Sequence, residues 1–402
     1  MSEDRLPVAP LPAARARILH VHKVAGLGGS ERHLQILLPR LDRRRFDVSL
    51  FLLTEPRRPV TDYIAYFRGM GICVDHATIR SDLDPSCLLA LYRRLRQEPV
   101  DLVHTHLIHA DLYGLLASRL AGIRRVVSTR HNDDAFRRRA DVRAVTRLAG
   151  LGWSRVIALS RYLADFIRHV EGVDPGLIRT VPYGMEPPEP TSDGYRVREE
   201  LGLSCEVPLV VSVGRLVKQK GHSHLLRAWP AIARAMPHAR LLVVGEGPWR
   251  ARLAAEAKAL GVSDHVVFAG WRFDVPAILA AADLYVQPSL WEGFGLAILE
   301  AMAAGTCVVA SRVSTIPEVV LDDQTGSLVP PGDCAGLAEA ILRLLADPKR
   351  RYQMGEAGRR RVMEAFSAER MARATEAVYE EVLSLEGLAG RAVRGRRERT
   401  PA

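Results

Sequence analysis

Short runs of consecutive apolar residues alternate along the chain with longer segments whose apolar positions recur every three or four residues. That alternation predicts strands followed by helices, the βα units that build parallel sheets. In the first half the runs at 17–22, 47–53, 101–105, 125–128, 155–159 and 178–182 read as strands. Their near-continuous Val, Leu and Ile content suits strands covered on both faces. The second half repeats the pattern at 208–213, 240–244, 265–269, 284–287, 307–310 and 327–329, and from 333 to about 385 the periodicity is mostly helical. Between the halves, GMEPPEPTSDG has no apolar period, and its Pro, Gly and acids mark a linker. Two domains are therefore expected, 15–190 and 191–366, which suits 402 residues. The Arg-rich stretch in 387–402 reads as a basic tail without fixed structure.

Composition narrows the classes. The stretch 293–311 is apolar enough to suggest a membrane span, but three glycines punctuate it and Glu300 would be costly in lipid; a buried loop, helix and strand is expected. Pro7, Pro10 and Pro12 interrupt the N-terminal segment where a secretory signal needs an apolar core, so a cytoplasmic protein is expected. Five cysteines without CxxC spacing suit reduced thiols packed as small apolar groups. A net charge of +10 favours nucleotides, anionic lipid surfaces or nucleic acid as partners. With no zinc-finger spacing and 6% aromatics, specific nucleic-acid binding is not expected.

Candidate chemistry clusters where strands end, which is where open α/β sheets bind ligands. In VVSVGRLVKQKG a strand delivers Arg215 and Lys220 into a loop, two cations suited to a diphosphate or, equally, to solvent. LLVVGEGP runs a strand into Gly245 and Gly247 but lacks the third glycine of a dinucleotide fingerprint, so a tight turn is expected. In WEGFGLAILEAMAAGTCVVAS a helix should start near Gly295 or Leu296, freeing the amides of Phe294, Gly295 and Leu296 for a phosphate or a sugar hydroxyl. Glu300 would follow ~8 Å farther along, so that Glu292 and Glu300 could span a sugar and a ribose. A helix salt bridge is the weaker reading of these two acids.

In the first half, Gly26, Gly28 and Gly29 follow a strand, with Ser30 as candidate N-cap and Glu31 in the first helical turn. His104, His106 and His109 cluster in HTHLIHAD, and alternation puts the first two on one strand face. Without a nearby cysteine or HExxH helix, no metal site is expected. His131, flanked by Arg130 and Asn132 after a strand, is the better substrate contact. SDLD at 81–84 reads as an N-cap rather than a metal-binding DxD.

Taken in order, GGSE at 28–31, His131, GRLVKQKG at 214–221, GEGP from Gly245 and the E-x7-E pair Glu292 and Glu300 resemble the retaining glycosyltransferases of family 4, or group 1, over about 18–385. The resemblance implies the GT-B fold: two Rossmann-like βαβ domains facing a cleft, a C-terminal helix at about 367–386 packing back on the first. It implies that Arg215 and Lys220 hold the donor diphosphate, that Glu292 faces the sugar beside the amides of Phe294, Gly295 and Leu296, and that Glu300 binds the ribose. Gly28 and Gly29 would line the opposite wall and His131 would approach the transferred sugar. No metal or other cofactor is implied. The co-substrate is a nucleoside diphosphate sugar, a UDP sugar before GDP-mannose, and the acceptor is a glycan or lipid-linked hydroxyl. Three stretches depart from the family pattern: VPYGME lacks its Asn, Cys307 replaces a Pro, and STIPE at 314–318 lacks paired glycines.

Hexosyl transfer with retention is thus the expected activity, with Arg215, Lys220, Glu292 and His131 as the catalytic set. Two other readings stand beside it: a sugar-nucleotide epimerase or hydrolase on the same fold, and a non-catalytic basic scaffold for membrane or nucleic acid. The segment 136–147, FRRRADVRAVTR, could dock on an anionic bilayer at the inner face of the membrane, or be a solvated helix face.

Overall fold

The computed structural model describes residues 15–397 except 25, 27, 57–59, 82 and 187–192, with side chains to 384 apart from residue 135. The chain divides into two compact units: one of residues 15–159, 164–182 and 369–397, the other of 160–163 and 183–368.

The first unit holds a seven-stranded parallel sheet of β1 (Ala16–Val24), β2 (Phe46–Thr54), β3 (Cys73–Thr78), β4 (Leu102–His106), β5 (Val126–Arg130), β6 (Arg155–Ala158) and β7 (Ile178–Thr180), in the order β3-β2-β1-β4-β5-β6-β7. The second holds six parallel strands, β8 (Leu209–Val213), β9 (Arg240–Val244), β10 (Val266–Gly270), β11 (Leu284–Gln287), β12 (Val308–Ser311) and β13 (Ser327–Val329), in the order β10-β9-β8-β11-β12-β13. In each sheet the order reverses direction once, between β1 and β4 and between β8 and β11. Loops leaving adjacent strands at such a point diverge to opposite faces and leave a crevice for a ligand.

The central strands are buried along their length because helices cover both faces; Val210, Leu241, Val286 and Val309 sit in one core and Leu19, Leu53 and Val103 in the other. β3 is the strand that the apolar pattern missed. It lies at a sheet edge, and CVDHAT alternates buried and exposed positions with Asp75 and His76 among them, so no apolar run marks it.

Local differences from the sequence reading have physical causes. Ser30 is not the N-cap: the helix is Gly29–Leu37, and the Glu31 carboxylate closes its start by accepting the Gly28 N–H at 3.0 Å and the Ser30 hydroxyl at 3.0 Å. Asp84 does cap the helix Pro85–Gln97, accepting the Ser86 N–H at 3.0 Å. The stretch 293–311 forms a loop, the helix Leu296–Ala303 and β12, and no helix among the described residues is long and apolar enough to cross a membrane. Of the segment read as linker, 187–192 lie outside the described residues. Tyr183 and Met185, at its start, are buried in the second unit, where Met185 bridges to Ser367 and Tyr183 meets the Phe294 ring edge-on.

The tail from 387 was expected to be unstructured, but the helix Ala368–Arg397 runs on through it to Arg397. Propagating a formed helix costs less than nucleating one, even across Gly387, Gly390 and Gly395. Its earlier turns lie in the first unit, with Val378, Tyr379 and Val382 buried and Glu381 paired to Arg155 and Arg179. That pairing holds the Glu381 carboxyl down at about 2 against the opposing effect of burial.

Candidate functional site

In the second unit the loops after β8 and β11 meet. Gly221 follows the 3-10 turn Lys218–Lys220 at φ 66, and a Cβ there would fall 1.8 Å from the Pro288 carbonyl oxygen. Only glycine allows this approach. The contact is fastened by the Leu290 N–H donating to the Gln219 carbonyl at 2.8 Å. It brings Lys220 to Glu292, Nζ to Oε2 at 2.6 Å.

Glu292 is 7% exposed. Its Oε2 also accepts from Ser289 Oγ at 3.1 Å and Gln287 Nε2 at 3.4 Å, and its own N–H donates to Ser314 Oγ at 3.2 Å. These contacts fix a carboxylate that would otherwise be costly to bury. Ser314, where the family pattern has glycine, takes φ 47, a conformation that costs a non-glycine residue ~1 kcal/mol.

Gly295 is the left-handed cap of the helix Leu296–Ala303, at φ 89. The amides of Phe294, Gly295 and Leu296 make no hydrogen bond among the described residues. They and the helix N-terminus can accept an anion or a sugar oxygen. Glu300, half-buried in the next turn, acts with Glu292 and with burial to raise the Tyr285 hydroxyl well above its ordinary range. Arg215 is exposed after β8 and its guanidinium pairs with no acid among the described residues. The structure therefore gathers Lys220, Glu292 and the amides of Phe294 to Leu296, and Arg215 lies in the same loop as Lys220. Gly245 and Gly247 serve the turn: a Cβ at either would strike the backbone of Gly214 or Leu216.

In the first unit Gly28 and Gly29 are exposed where the loop after β1 enters its helix. Behind them, strand register builds a histidine cluster. His20 lies beside His104 and His22 beside His106 in the β1–β4 pairing, and His106 lies beside Thr129 in the β4–β5 pairing. His131 follows β5 and shares a hydrogen bond from Nε2 to His106 Nδ1 at 3.1 Å. His33, from the helix Gly29–Leu37, stacks edge-on against His131 at 5.3 Å. Leu107, directly after His106, takes φ 72, a strained turn of the kind that recurs at functional sites. His109 is half-buried in the helix Leu107–Ala121.

Burial holds these imidazoles neutral. His20 and His33 are lowered to about 3, and His104, His106 and His131 well below the ordinary value. His20, His104 and His106 bring ligand nitrogens within 4.8 Å of one another. Each of those rings uses both nitrogens in hydrogen bonds of 2.7–3.1 Å. Beside it, Arg130 sits between Asp111 at 2.6 Å and Glu171 at 2.9 Å, and Arg137 bonds the other Glu171 oxygen at 3.0 Å.

Sequence reasoning singled out Arg215, Lys220, Glu292 and Glu300 but not Gln287, Ser289 and Ser314, ordinary polar residues that fold against the Glu292 carboxylate or backbone. His20 and His22 were detectable: HVH at the end of one strand repeats the spacing of HTH at the end of another. In the segment read as bilayer-binding, Arg137 is buried with Glu171, Arg138 lies over the Phe166 ring and Arg139 pairs with Asp141. Arg137 is thus unavailable to a membrane.

Two family models match. Residues 196–361 match "Glycosyl transferases group 1" and residues 27–187 match "Glycosyltransferase Family 4". Over 390 residues the chain is 35% identical to an alpha-maltose-1-phosphate synthase of Mycolicibacterium smegmatis, covering 88% of this chain and 96% of that one. It is 37% identical, over 62% of its length and 68% of the other's, to a GDP-mannose-dependent alpha-(1-6)-phosphatidylinositol monomannoside mannosyltransferase of the same organism. Among solved structures, Anabaena HepE in complex with UDP superposes with a TM-score of 0.77 at 22% identity, covering 91% of this chain and all of that one.

Proposed function

The chain belongs to the group 1 glycosyltransferases, and on that premise we propose that it moves a hexose from a nucleoside diphosphate sugar to a hydroxyl of a glycan or lipid-linked acceptor, with retention of anomeric configuration and without a metal. The observation that carries the donor assignment is the Lys220–Glu292 pair at 2.6 Å beside the unbonded amides of Phe294, Gly295 and Leu296. The diphosphate lies against Lys220, Arg215 and those amides, and Glu292 accepts from the sugar hydroxyls. As the bond from the anomeric carbon to the phosphate oxygen breaks, its electron pair leaves with the diphosphate, where the two cations and the helix N-terminus stabilise it. The acceptor oxygen bonds to the same face, and its proton passes to the departing phosphate. Glu300 takes the ribose hydroxyls, and His131 is the proposed contact of the transferred sugar.

Titration calorimetry with UDP, GDP, ADP and their hexose conjugates tests the site. We expect one nucleotide to bind, UDP before GDP, and Glu300→Ala to weaken it. Binding by none of them would overturn the donor assignment. NMR of the first-formed product gives the anomeric configuration, and full turnover in EDTA checks the metal-free step. Rapid, quantitative consumption of the donor without acceptor would favour an epimerase or hydrolase.

One surface supports peripheral contact with an anionic membrane. Leu112, Leu116 and Leu120 form an exposed i, i+4 stripe on the helix Leu107–Ala121, and Val145, Leu148 and Leu151 are exposed on and just beyond the adjoining helix Ala140–Gly150. The exposed arginines Arg119 and Arg147 lie on these two helices, and exposed Arg138 lies just before the second. Exposed apolar side chains with arginines on the same stretch of chain suit the interface of an anionic bilayer. The protein should co-sediment with phosphatidylglycerol vesicles at low salt, and Leu148→Glu with Leu151→Glu should release it; failure of the unmodified protein to sediment would refute the contact.

A further inference from the structure

The cluster behind His131 is a continuous path. Thr129 Oγ1 meets His104 Nε2 at 2.7 Å, His104 Nδ1 meets the Tyr379 hydroxyl at 2.7 Å, and that hydroxyl meets His20 Nε2 at 3.1 Å. His20 Nδ1 meets His106 Nε2 at 3.0 Å, and His106 Nδ1 meets His131 Nε2 at 3.1 Å. His20, His104, His106 and Tyr379 are wholly buried, Thr129 is 1% exposed and His131 8%.

We propose that these six side chains form one hydrogen-bonded chain whose direction decides which ring nitrogen of His131 carries its proton, with the Tyr379 hydroxyl as the turning point. A neutral imidazole has one N–H and one bare nitrogen, so the links on its two sides run the same way. The buried Tyr379 hydroxyl, whose partners among the described residues are His104 and His20, satisfies its proton only by donating to one ring while accepting from the other, which carries the direction through. Two senses are allowed. In one, His131 donates to His106, His106 to His20, His20 to Tyr379, Tyr379 to His104 and His104 to Thr129; all four histidines then carry their proton on Nε2. In the other every link reverses and all four carry it on Nδ1. A protonated ring would present two donors and break the path. Burial opposes that, as do the neighbouring His22, His33, Arg130 and Arg137.

Tyr379, His20, His104 and Thr129 are positioning residues acting through His106. On the role proposed above for His131, the sense of the chain fixes whether its Nδ1 donates or accepts. That consequence rests on the proposed function, whereas the tautomer pattern does not.

The test is the 15N and 1H spectrum of histidine-labelled protein, which distinguishes the two tautomers ring by ring. In the unaltered protein His20, His104, His106 and His131 should share one tautomer. A buried N–H without an acceptor costs more than a bare lone pair, so each variant has a definite outcome. Tyr379→Phe should give His104 protonated on Nε2 and the other three on Nδ1, whichever sense the unaltered protein has. Thr129→Val should drive all four to Nδ1, although Thr129 lies at the opposite end of the path from His131.

Opposed tautomers in the unaltered protein, or His131 on Nε2 in Thr129→Val, would overturn the chain. So would stoichiometric zinc uptake that replaces the tautomer signals. Thr129→Val keeps the test decisive if Tyr379→Phe does not fold. Donor affinity measured on the same variants should be unchanged while turnover falls at least ~10-fold if the Nδ1 form is unproductive. No donor binding even in the unaltered protein would count against the donor assignment and leave the tautomer result intact.

Discussion

Lys220 and Glu292 form an ion pair at 2.6 Å, and each holds the other in place. Removing either leaves its partner without a counter-charge and, on the proposed mechanism, removes a charge contact to the departing diphosphate. Lys220→Ala and Glu292→Ala should each lower turnover by ~100-fold or more. Steady-state kinetics with whichever sugar nucleotide binds provides the check, and near-normal turnover in both variants would reject the assignment. These two residues, with Arg215, Glu300 and His131, stood out in the sequence as candidates because charged groups in apolar surroundings are conspicuous and because their order matches a family pattern. Gln287, Ser289 and Ser314 did not, since nothing in a Gln or Ser along the chain foretells that it will meet a buried carboxylate.

At the scale of elements, the Lys220–Glu292 pair depends on two loops touching at Gly221. Gly221→Ala would place a methyl group 1.8 Å from the Pro288 carbonyl oxygen in a backbone conformation that alanine disfavours. The loops must separate, at a cost of about 2–3 kcal/mol. The variant should show a lower midpoint in thermal unfolding and weaker nucleotide binding; an unchanged midpoint would mean that the loops do not need this approach. Apolar runs located the central strands to within a residue or two because both faces of those strands are covered. They passed over β3, where an edge position with one covered face leaves room for Asp75 and His76. They also stopped the final helix early, because a run of arginines carries no burial signal although it can continue a helix already begun.

For the whole molecule, buried histidines make stability depend on pH. His20, His33 and His222 are lowered to about 3, and His104, His106 and His131 well below their ordinary value, by burial first and by neighbouring positive groups second. Below about 6.5 the unfolded chain takes up protons that the folded chain refuses, so this contribution is complete above that pH and is lost as the pH falls toward 3. Each such histidine adds up to ~1.4 kcal/mol per pH unit to the slope. Urea midpoints should fall between pH 6.5 and 5, before most carboxylates protonate. A flat profile there would mean that these rings are not buried neutral.

Sequence alone determined the βα alternation, the strand-end loops and the family, because apolar periodicity and motif order are local properties that survive without coordinates. Tertiary structure decided which strand ends became neighbours. Switch points between β1 and β4 and between β8 and β11 juxtapose residues far apart in the chain: His20 beside His104, Lys220 beside Glu292. It also decided that Tyr379, on the final helix, would close a path of histidines from three separate segments. Register and packing are cooperative outcomes of the whole core, and no window of sequence contains them.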